Sequence, residues 1–121
     1  MSRRILIVED QEDNRRILRD TFGRAGFEVI EAAGGEAALR RAREESPHII
    51  LMDVQLPDID GYSVARRIRE VPSLREIPII AVTSFAFTGD EERAREAGCT
   101  AYVAKPISPR RLLQQVIDLV D

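Results

Sequence analysis

Residues 5–26 read ILIVEDQEDNRRILRDTFGRAG, and this stretch contains a complete strand–helix unit. Residues 5–8 are apolar at every position, as expected for a strand that is covered on both faces. Two acids, Glu9 and Asp10, follow that strand directly. Beyond them apolar side chains recur at helical spacing until Gly26 ends the helix. The stretch therefore predicts a buried strand that ends on acidic residues, followed by a helix that packs on the sheet.

The same alternation of a short apolar run with an amphipathic stretch continues along the chain. It predicts further strands at residues 27–31, 48–52, 79–82 and 101–104. It predicts further helices at residues 34–46, from 63 to about 71, at 91–97 and at 108–120, with Ser108 as the N-cap of the last and Pro109 in its first turn. Five strands alternating with five helices indicate an α/β fold, a doubly wound (βα)5 parallel sheet with helices on both faces.

Length and composition limit the classes of function. A chain of 121 residues is expected to form one domain, residues 1–121, with no attached output domain. The net charge is −3 and the basic residues are interleaved with acids, which argues against a nucleic acid partner. No apolar run approaches the roughly 20 residues of a membrane span, so a cytoplasmic protein without a membrane partner is expected. The single cysteine, Cys99, excludes an internal disulfide and is expected to be a small buried residue, and the single histidine argues against a histidine metal site.

Polar residues are predicted at the carboxyl ends of four strands, which is where open α/β sheets bind ligands. These residues are Glu9, Asp10, Asp53, Thr83, Ser84 and Lys105. Loops are polar in general, but a set at four strand ends that includes the only lysine favours a functional site. Three neighbouring carboxylates require a counter-charge, and oxygen ligands without histidine or thiolate favour Mg²⁺, with Mn²⁺ as an alternative.

Lys105 is unusual because the other 17 of the 18 basic residues are arginines. Lysine places a compact charge on a slim stem, whereas arginine is a wide planar fork. A lysine at a strand end in an arginine-rich chain therefore indicates a narrow site that holds one positive charge against a small anion.

Four motifs, taken in order and at these spacings, resemble the receiver domain of two-component response regulators. They are ILIVED at 5–10, LMDVQLP at 51–57 followed by Gly61, AVTS at 81–84 and VAKP at 103–106. The resemblance covers the whole chain and implies a CheY-like, flavodoxin-like fold with strand order 2-1-3-4-5. The stretches MDVQLP at 52–57 and TSFAFTGDEER at 83–93 are similar to stand-alone regulators of bacterial phosphorelays, especially those controlling alphaproteobacterial cell division. Receivers fused to hybrid kinases share both stretches.

The resemblance implies a role for each residue at the strand ends. Asp53 would be the phosphoacceptor that attacks a phosphohistidine. Glu9, Asp10, Asp53 and the backbone carbonyl of Gln55 would hold Mg²⁺. Lys105 would pair with a phosphoryl oxygen, and with Asp53 when no phosphate is bound.

Two residues are implied to form the switch. Thr83 would donate a hydrogen bond to the phosphoryl group, and Tyr102 would then rotate from an outward to an inward position. The alternatives are an ordinary β-branched strand residue at 83 and an amphipathic surface aromatic at 102.

A partner surface is expected beside the strand ends. Asn14, Pro106 and Ile107 would form the dock for a histidine-bearing helix of a histidine kinase or histidine phosphotransfer protein. Of Phe85 and Phe87, one is expected to be buried and the other to contact a partner. Three arginines of the first helix are expected to form a solvated face: Arg15, Arg16 and Arg19.

The sequence thus predicts a phosphoacceptor signalling switch that acts by binding a downstream protein and has only self-catalysed phosphotransfer and autodephosphorylation as chemistry. A monomer or a weak phosphorylation-dependent dimer is expected. One alternative is a receiver from a hybrid kinase or larger regulator. Another is an Mg²⁺-dependent aspartyl-phosphate hydrolase, but the position two residues after the nucleophile, where such enzymes carry an acid, is Gln55. A phosphate-free scaffold and a flavin carrier are disfavoured by the intact Asp53 and Lys105 and by the acidic loop at residues 9–13.

Overall fold

The computed structural model describes residues 3–84 and 90–120, in which five strands alternate with five helices as predicted. The strands are β1 (Arg4–Val8), β2 (Glu28–Ala32), β3 (Ile49–Asp53), β4 (Ile79–Thr83) and β5 (Ala101–Ala104). The helices are α1 (Glu12–Arg24), α2 (Gly35–Glu45), α3 (Gly61–Glu70), α4 (Asp90–Glu96) and α5 (Pro109–Val120), and a short 3₁₀ turn (Pro72–Leu74) precedes β4. In this part of the chain, no helix has both the length and the apolar character that crossing a bilayer requires.

The strands form one parallel sheet in the order β2-β1-β3-β4-β5, which confirms the predicted order 2-1-3-4-5. Every residue of β3 and β4 is buried, because these strands lie inside the sheet and helices cover both faces. The winding reverses between β1 and β3. The carboxyl ends of these two strands therefore flank the switch point at which such sheets bind ligands.

Successive strand residues alternate between two apolar layers. Leu6 and Ile50 pack in the layer that contains the buried side chains of α2, α3 and α4. Ile7 and Leu51 pack in the opposite layer, with α1 and α5. Cys99 is buried, as expected, and burial raises the pKa of its thiol to about 11. The sheet is thereby fixed on both sides, and the polar residues at its carboxyl edge project from a rigid platform.

Helix boundaries agree with the sequence except at α3, where the predicted start near Ser63 is wrong. The helix begins at Gly61, and the side chain of Asp60 caps it by accepting a hydrogen bond from the Tyr62 N–H at 3.3 Å. The Gly61 N–H donates to the Val54 carbonyl at 2.9 Å, so the first turn lies against the end of β3. The last helix starts as predicted: Ser108 Oγ accepts the Arg111 N–H at 3.2 Å.

This close approach makes position 61 intolerant of a side chain. A Cβ on Gly61 would lie 2.5 Å from the Val54 Cα and 3.1 Å from the Asp53 carbonyl oxygen. Because both neighbours are backbone atoms, we expect Gly61→Ala to lower the free energy of unfolding by about 1–3 kcal/mol, measured by urea denaturation. The matched control is Gly23→Ala in α1, where a Cβ meets no atom within 4 Å. That variant should gain about 0.5–1 kcal/mol, and equal losses in the two variants would contradict the steric explanation.

Candidate functional site

The structure gathers the predicted polar residues at the carboxyl edge of the sheet. Asp53 and Thr83 are the last residues of β3 and β4, Glu9 and Asp10 follow β1, and Lys105 follows β5. Glu9, Asp53 and Thr83 are buried, with exposed fractions of 4%, 7% and 2%, while Asp10 is exposed. Two carboxylates and a hydroxyl in this buried setting need polar partners within the site.

Lys105 supplies one positive charge to two carboxylates. Its Nζ donates a hydrogen bond to Asp53 Oδ2 at 2.8 Å and lies 3.6 Å from Glu9 Oε1. Burial opposes the charge on the lysine, but the hydrogen bond and the charges of Asp53 and Glu9 outweigh burial and raise the pKa of Lys105. The pairing of Lys105 with Asp53 is the one expected from the sequence.

At Glu9, in contrast to Lys105, the effect of burial on the pKa outweighs that of the polar contacts. Burial is the largest influence and raises the pKa of its carboxyl, while the hydrogen bond from the Gln11 N–H and the charge of Lys105 act to lower it. The Gln11 N–H donates to Glu9 Oε2 at 3.1 Å. Burial therefore disfavours the charged form of Glu9 in spite of the hydrogen bond and the neighbouring lysine.

The three carboxylates are close enough to share one metal ion. Glu9, Asp10 and Asp53 each offer an oxygen, and these oxygens lie within 4.8 Å of one another. The Gln55 N–H donates to Asp53 Oδ1 at 2.8 Å, which holds the acid against the loop that follows β3. Donors that are all oxygen fit a hard divalent cation such as Mg²⁺.

The two predicted switch residues occupy β4 and β5. The Thr83 carbonyl accepts the Lys105 N–H at 2.8 Å, so the buried threonine and the lysine are joined through the backbone. Tyr102 is half-buried against the layer of α2, α3 and α4, and its buried hydroxyl has no hydrogen-bond partner among the described residues. Phe85 and Phe87 lie outside the described residues.

The predicted dock surrounds a cavity of about 340 Å³ that opens beside the carboxylates. Asn14, Pro106 and Ile107 line it together with Asp53 and Lys105, so the structure brings these positions to one place. The Lys105–Pro106 peptide bond is cis. Apolar residues form much of the remaining wall, including a side chain of α1, Ile17, that is 49% exposed.

The prediction that the α1 arginines form a solvated face is wrong for Arg15. Its side chain is only 19% exposed, and its Nε lies 3.1 Å from Glu31 Oε1. Its Nη1 donates to the backbone carbonyl of Glu9 at 2.9 Å. Arg16 and Arg19 are more exposed, at 62% and 43%. The partner of Arg15 lies 16 residues along the chain on β2, and the helical pattern of α1 contains no information about it.

Asp58, in the loop after β3, makes a second contact that the sequence analysis did not predict. Asp58 accepts hydrogen bonds from the Gly35 and Glu36 N–H groups at 2.8 and 3.1 Å. It therefore caps α2, whose own N-cap residue, Gly34, has no side chain to do so. These two backbone hydrogen bonds, the Gly35 one first, lower the pKa of Asp58.

The cap predicts a pH-dependent loss of stability in Asp58→Asn. The carboxylate can accept from both N–H groups, whereas the amide has only one acceptor oxygen. Because the folded-state pKa of Asp58 is depressed, its stabilisation is present above the unfolded-state pKa and is lost as pH falls through the folded-state value. We expect the variant to melt several degrees lower than the parent at neutral pH, with the gap closing in acid. Thermal unfolding at a series of pH values measures this, and a gap that does not change with pH would contradict it.

Comparison with known proteins agrees with this geometry. Residues 5–117 match the family described as the response regulator receiver domain. The polar-differentiation response regulator DivK of Brucella ovis is 46% identical over 116 residues, covering 96% of this chain and 94% of the relative. The DivK protein of Brucella anthropi shows the same identity and coverage. These relatives confirm the resemblance to response regulators that was expected from the sequence.

Solved structures confirm the fold. Chemotaxis protein CheY4 of Vibrio cholerae superposes with a TM-score of 0.93 at 26% identity, over 98% of both chains. The receiver domain of sensor histidine kinase PA1611 from Pseudomonas aeruginosa superposes with a TM-score of 0.89 at 36% identity, over 99% of this chain and 98% of that one. The second structure has a magnesium ion coordinated in its active-site cleft.

Proposed function

This chain belongs to the response regulator receiver domain family, and we propose that its Asp53 accepts a phosphoryl group from a phosphohistidine in an Mg²⁺-dependent reaction. The observation that supports this most directly is the contact of Asp53 with Lys105, at 2.8 Å, inside a cluster of three carboxylates. The family acts in two-component signalling, and these residues give the chain a nucleophile, a cation for the transferred group and a place for the metal ion.

In this proposal a carboxylate oxygen of Asp53 forms a bond to phosphorus while the phosphorus–nitrogen bond of the donor breaks. The imidazole nitrogen keeps the electron pair of the broken bond and takes a proton from water. Lys105 exchanges its hydrogen bond to Asp53 for one to a phosphoryl oxygen, which places its charge on the group that gains negative charge. The phosphorylated protein then carries more negative charge at the site than the carboxylate did.

Glu9, Asp10, Asp53 and the backbone carbonyl of Gln55 are the proposed metal ligands. When bound, Mg²⁺ would neutralise charge on the transferring oxygens. Glu9 and Asp53 are the buried members of the cluster, and the exposed Asp10 leaves the site open to solvent on one side. Mn²⁺ would serve as a substitute, since it accepts the same oxygen donors.

Thr83 and Tyr102 are the proposed switch. The Thr83 hydroxyl would donate to a phosphoryl oxygen and draw the end of β4 toward the site. The side chain of Tyr102 on β5 would then rotate. Its buried hydroxyl has no hydrogen-bond partner in the described part of the chain, which supports a ring that no hydrogen bond holds in place. The change would alter the surface offered to a downstream protein.

The cavity beside the carboxylates is the proposed dock for the phosphodonor. A histidine-bearing helix of a histidine kinase or phosphotransfer protein would lie against Asn14, Ile17, Pro106 and Ile107, with its histidine directed at Asp53. The partly exposed Ile17 supports an apolar contact at this place. We place the protein in the cytoplasm, as a monomer or a weak phosphorylation-dependent dimer.

We favour a DivK-like regulator, a signalling protein with only self-catalysed chemistry, over the two alternatives raised by the sequence. The 46% identity with DivK, over 96% of this chain, supports this choice. An aspartyl-phosphate hydrolase would need an acid two residues after Asp53, where the exposed Gln55 stands. Residues 5–117, which match the receiver family, form the proposed phosphoacceptor unit.

Intact-mass spectrometry with acetyl phosphate and Mg²⁺ tests the proposal. We expect a gain of about 80 Da, the mass of one phosphoryl group, that disappears when Mg²⁺ is chelated. The reaction is repeated with a phosphorylated histidine protein as donor, because Asp53 could react with a phosphohistidine and not with acetyl phosphate. No gain with either donor would contradict the proposed function.

A further inference from the structure

We propose that Arg15 is a positioning residue that holds Glu9 in place for the metal ion, an inference that rests on the proposed metal site. Arg15 does not reach the carboxylates. It binds the backbone of Glu9 through a hydrogen bond from its Nη1 to the Glu9 carbonyl at 2.9 Å. A side chain from the first turns of α1 thus fixes the backbone of the acid, whose carboxylate also accepts the Gln11 N–H at 3.1 Å.

The turn between β1 and α1 needs such support because its helix cap is weak. Gln11 occupies the N-cap position of α1 and makes no side-chain capping bond. Glutamine is not among the residues that cap helices well. The same turn contains Glu9 and Asp10, two of the three acids of the cluster. Two like charges repel each other in this turn, so contacts with the rest of the fold are needed to hold it.

Arg15 anchors this turn to the end of β2. Its Nε lies 3.1 Å from Glu31 Oε1, and Glu31 is next to Ala32, whose carbonyl accepts the Glu9 N–H at 3.0 Å. Both backbone polar groups of Glu9 are thus tied to neighbouring residues of β2, one directly and one through the guanidinium. With its backbone fixed, the Glu9 carboxylate faces Lys105 and the other acids.

The shape of arginine suits this position. One guanidinium offers several N–H groups in a fixed plane, so Arg15 binds a carboxylate and a carbonyl at the same time. A lysine keeps the charge but presents a single ammonium on a flexible stem. Arg19 also contacts Glu31, at 3.3 Å, but its described contacts do not include the Glu9 backbone. Position 19 therefore offers a matched control for losing a cation beside Glu31.

The test is the affinity of the unphosphorylated protein for Mg²⁺, measured by isothermal titration calorimetry. Loss of a residue that orients a metal ligand typically costs 10–100-fold in affinity, so we expect Arg15→Ala to raise the dissociation constant by roughly 10-fold. Arg15→Lys should fall between Arg15→Ala and the parent. Arg19→Ala should stay within about twofold of the parent, because exposed ion pairs contribute little.

Three outcomes separate the possibilities. Equal Mg²⁺ affinity in Arg15→Ala and Arg19→Ala would overturn this inference and leave the proposed function standing. No Mg²⁺ binding by the parent chain would overturn the proposed metal site and the inference with it. If Arg15→Ala does not fold, the folded Arg15→Lys variant decides, since unchanged Mg²⁺ affinity in that variant would overturn the inference.

A second readout distinguishes positioning from a general effect on stability. We expect Arg15→Lys to need a several-fold higher Mg²⁺ concentration for half-maximal phosphorylation by acetyl phosphate, with a nearly unchanged rate at saturating Mg²⁺. A role that only ties α1 to β2 would lower the melting temperature without moving the Mg²⁺ requirement. A reduced rate at saturating Mg²⁺ with an unchanged requirement would also overturn the inference.

Discussion

Asp53→Asn should show no mass gain under conditions in which the parent protein gains one phosphoryl group. The amide is not a nucleophile toward phosphorus, and it removes one of the three clustered carboxylates, so both attack and metal binding are affected. The fold should persist. In the parent, Asp53 and Glu9 share the single charge of Lys105, and the substitution leaves that lysine beside one carboxylate instead of two. A cooperative thermal transition in the variant would show that the loss is chemical.

The matched control for this experiment is Asp60→Asn, the same exchange of aspartate for asparagine at a position outside the carboxylate cluster. Asp60 caps α3, and asparagine caps helices about as well as aspartate. This variant should gain phosphate at the rate of the parent. A phosphoryl group that still appears in Asp53→Asn, or one that is stable to acid, would mean that another residue is the nucleophile.

Lys105→Arg keeps the charge and should still impair the site. The lysine ammonium donates to Asp53 at 2.8 Å and lies 3.6 Å from Glu9, in a place only 30% exposed. The wider fork of arginine would bind both carboxylates and hold Asp53 away from an incoming phosphoryl group. We expect the rate of phosphorylation to fall by roughly 10²-fold, the effect of losing one preorganised donor to developing negative charge. Mg²⁺ binding should remain.

The switch is a separate readout for the same variant. The chain has two tyrosines and no tryptophan, so fluorine-labelled tyrosine gives two signals, from Tyr62 and Tyr102. We expect the Tyr102 signal to move on phosphorylation in the parent and to remain unmoved in Lys105→Arg. Arg16→Lys, an exchange of cations on the exposed face of α1, is the control and should switch normally. Normal switching in Lys105→Arg would contradict the role given to lysine's slim shape.

The carboxyl-edge cluster was predictable because strand ends can be located from short apolar runs. Residues 49–52 and 79–82 are continuously apolar, and the polar residue after each run, Asp53 or Thr83, lies at the predicted edge. In a parallel sheet such ends meet, so their proximity follows from the order of elements alone. The roles of these residues in phosphate transfer are a further step, supported by family resemblance.

The contacts that hold the site in place were not predictable, because they join residues that lie far apart in the sequence. The sequence predicts Arg15 to be a solvated helix residue, because it gives no indication that Glu31 on β2 lies beside it. Asp58 has the pattern of an ordinary loop residue. Its role depends on the N–H group of Gly35, which lies 23 positions earlier in the chain. The early start of α3 follows from the contact of Gly61 with β3. In each case the local pattern fixes the type of element and leaves the tertiary contact open.

The backbone hydrogen bond from the Lys105 amide to the Thr83 carbonyl, at 2.8 Å, gives the protein a built-in reporter. One amide proton spans the gap between the strand end with the cation and the strand end with the hydroxyl. Its hydrogen-exchange rate and its nuclear magnetic resonance shift therefore record the separation of β4 and β5 without any change to the amino-acid sequence. Since Lys105 is the only lysine, isotopic labelling of that amino acid alone would make this amide the single visible signal in the spectrum.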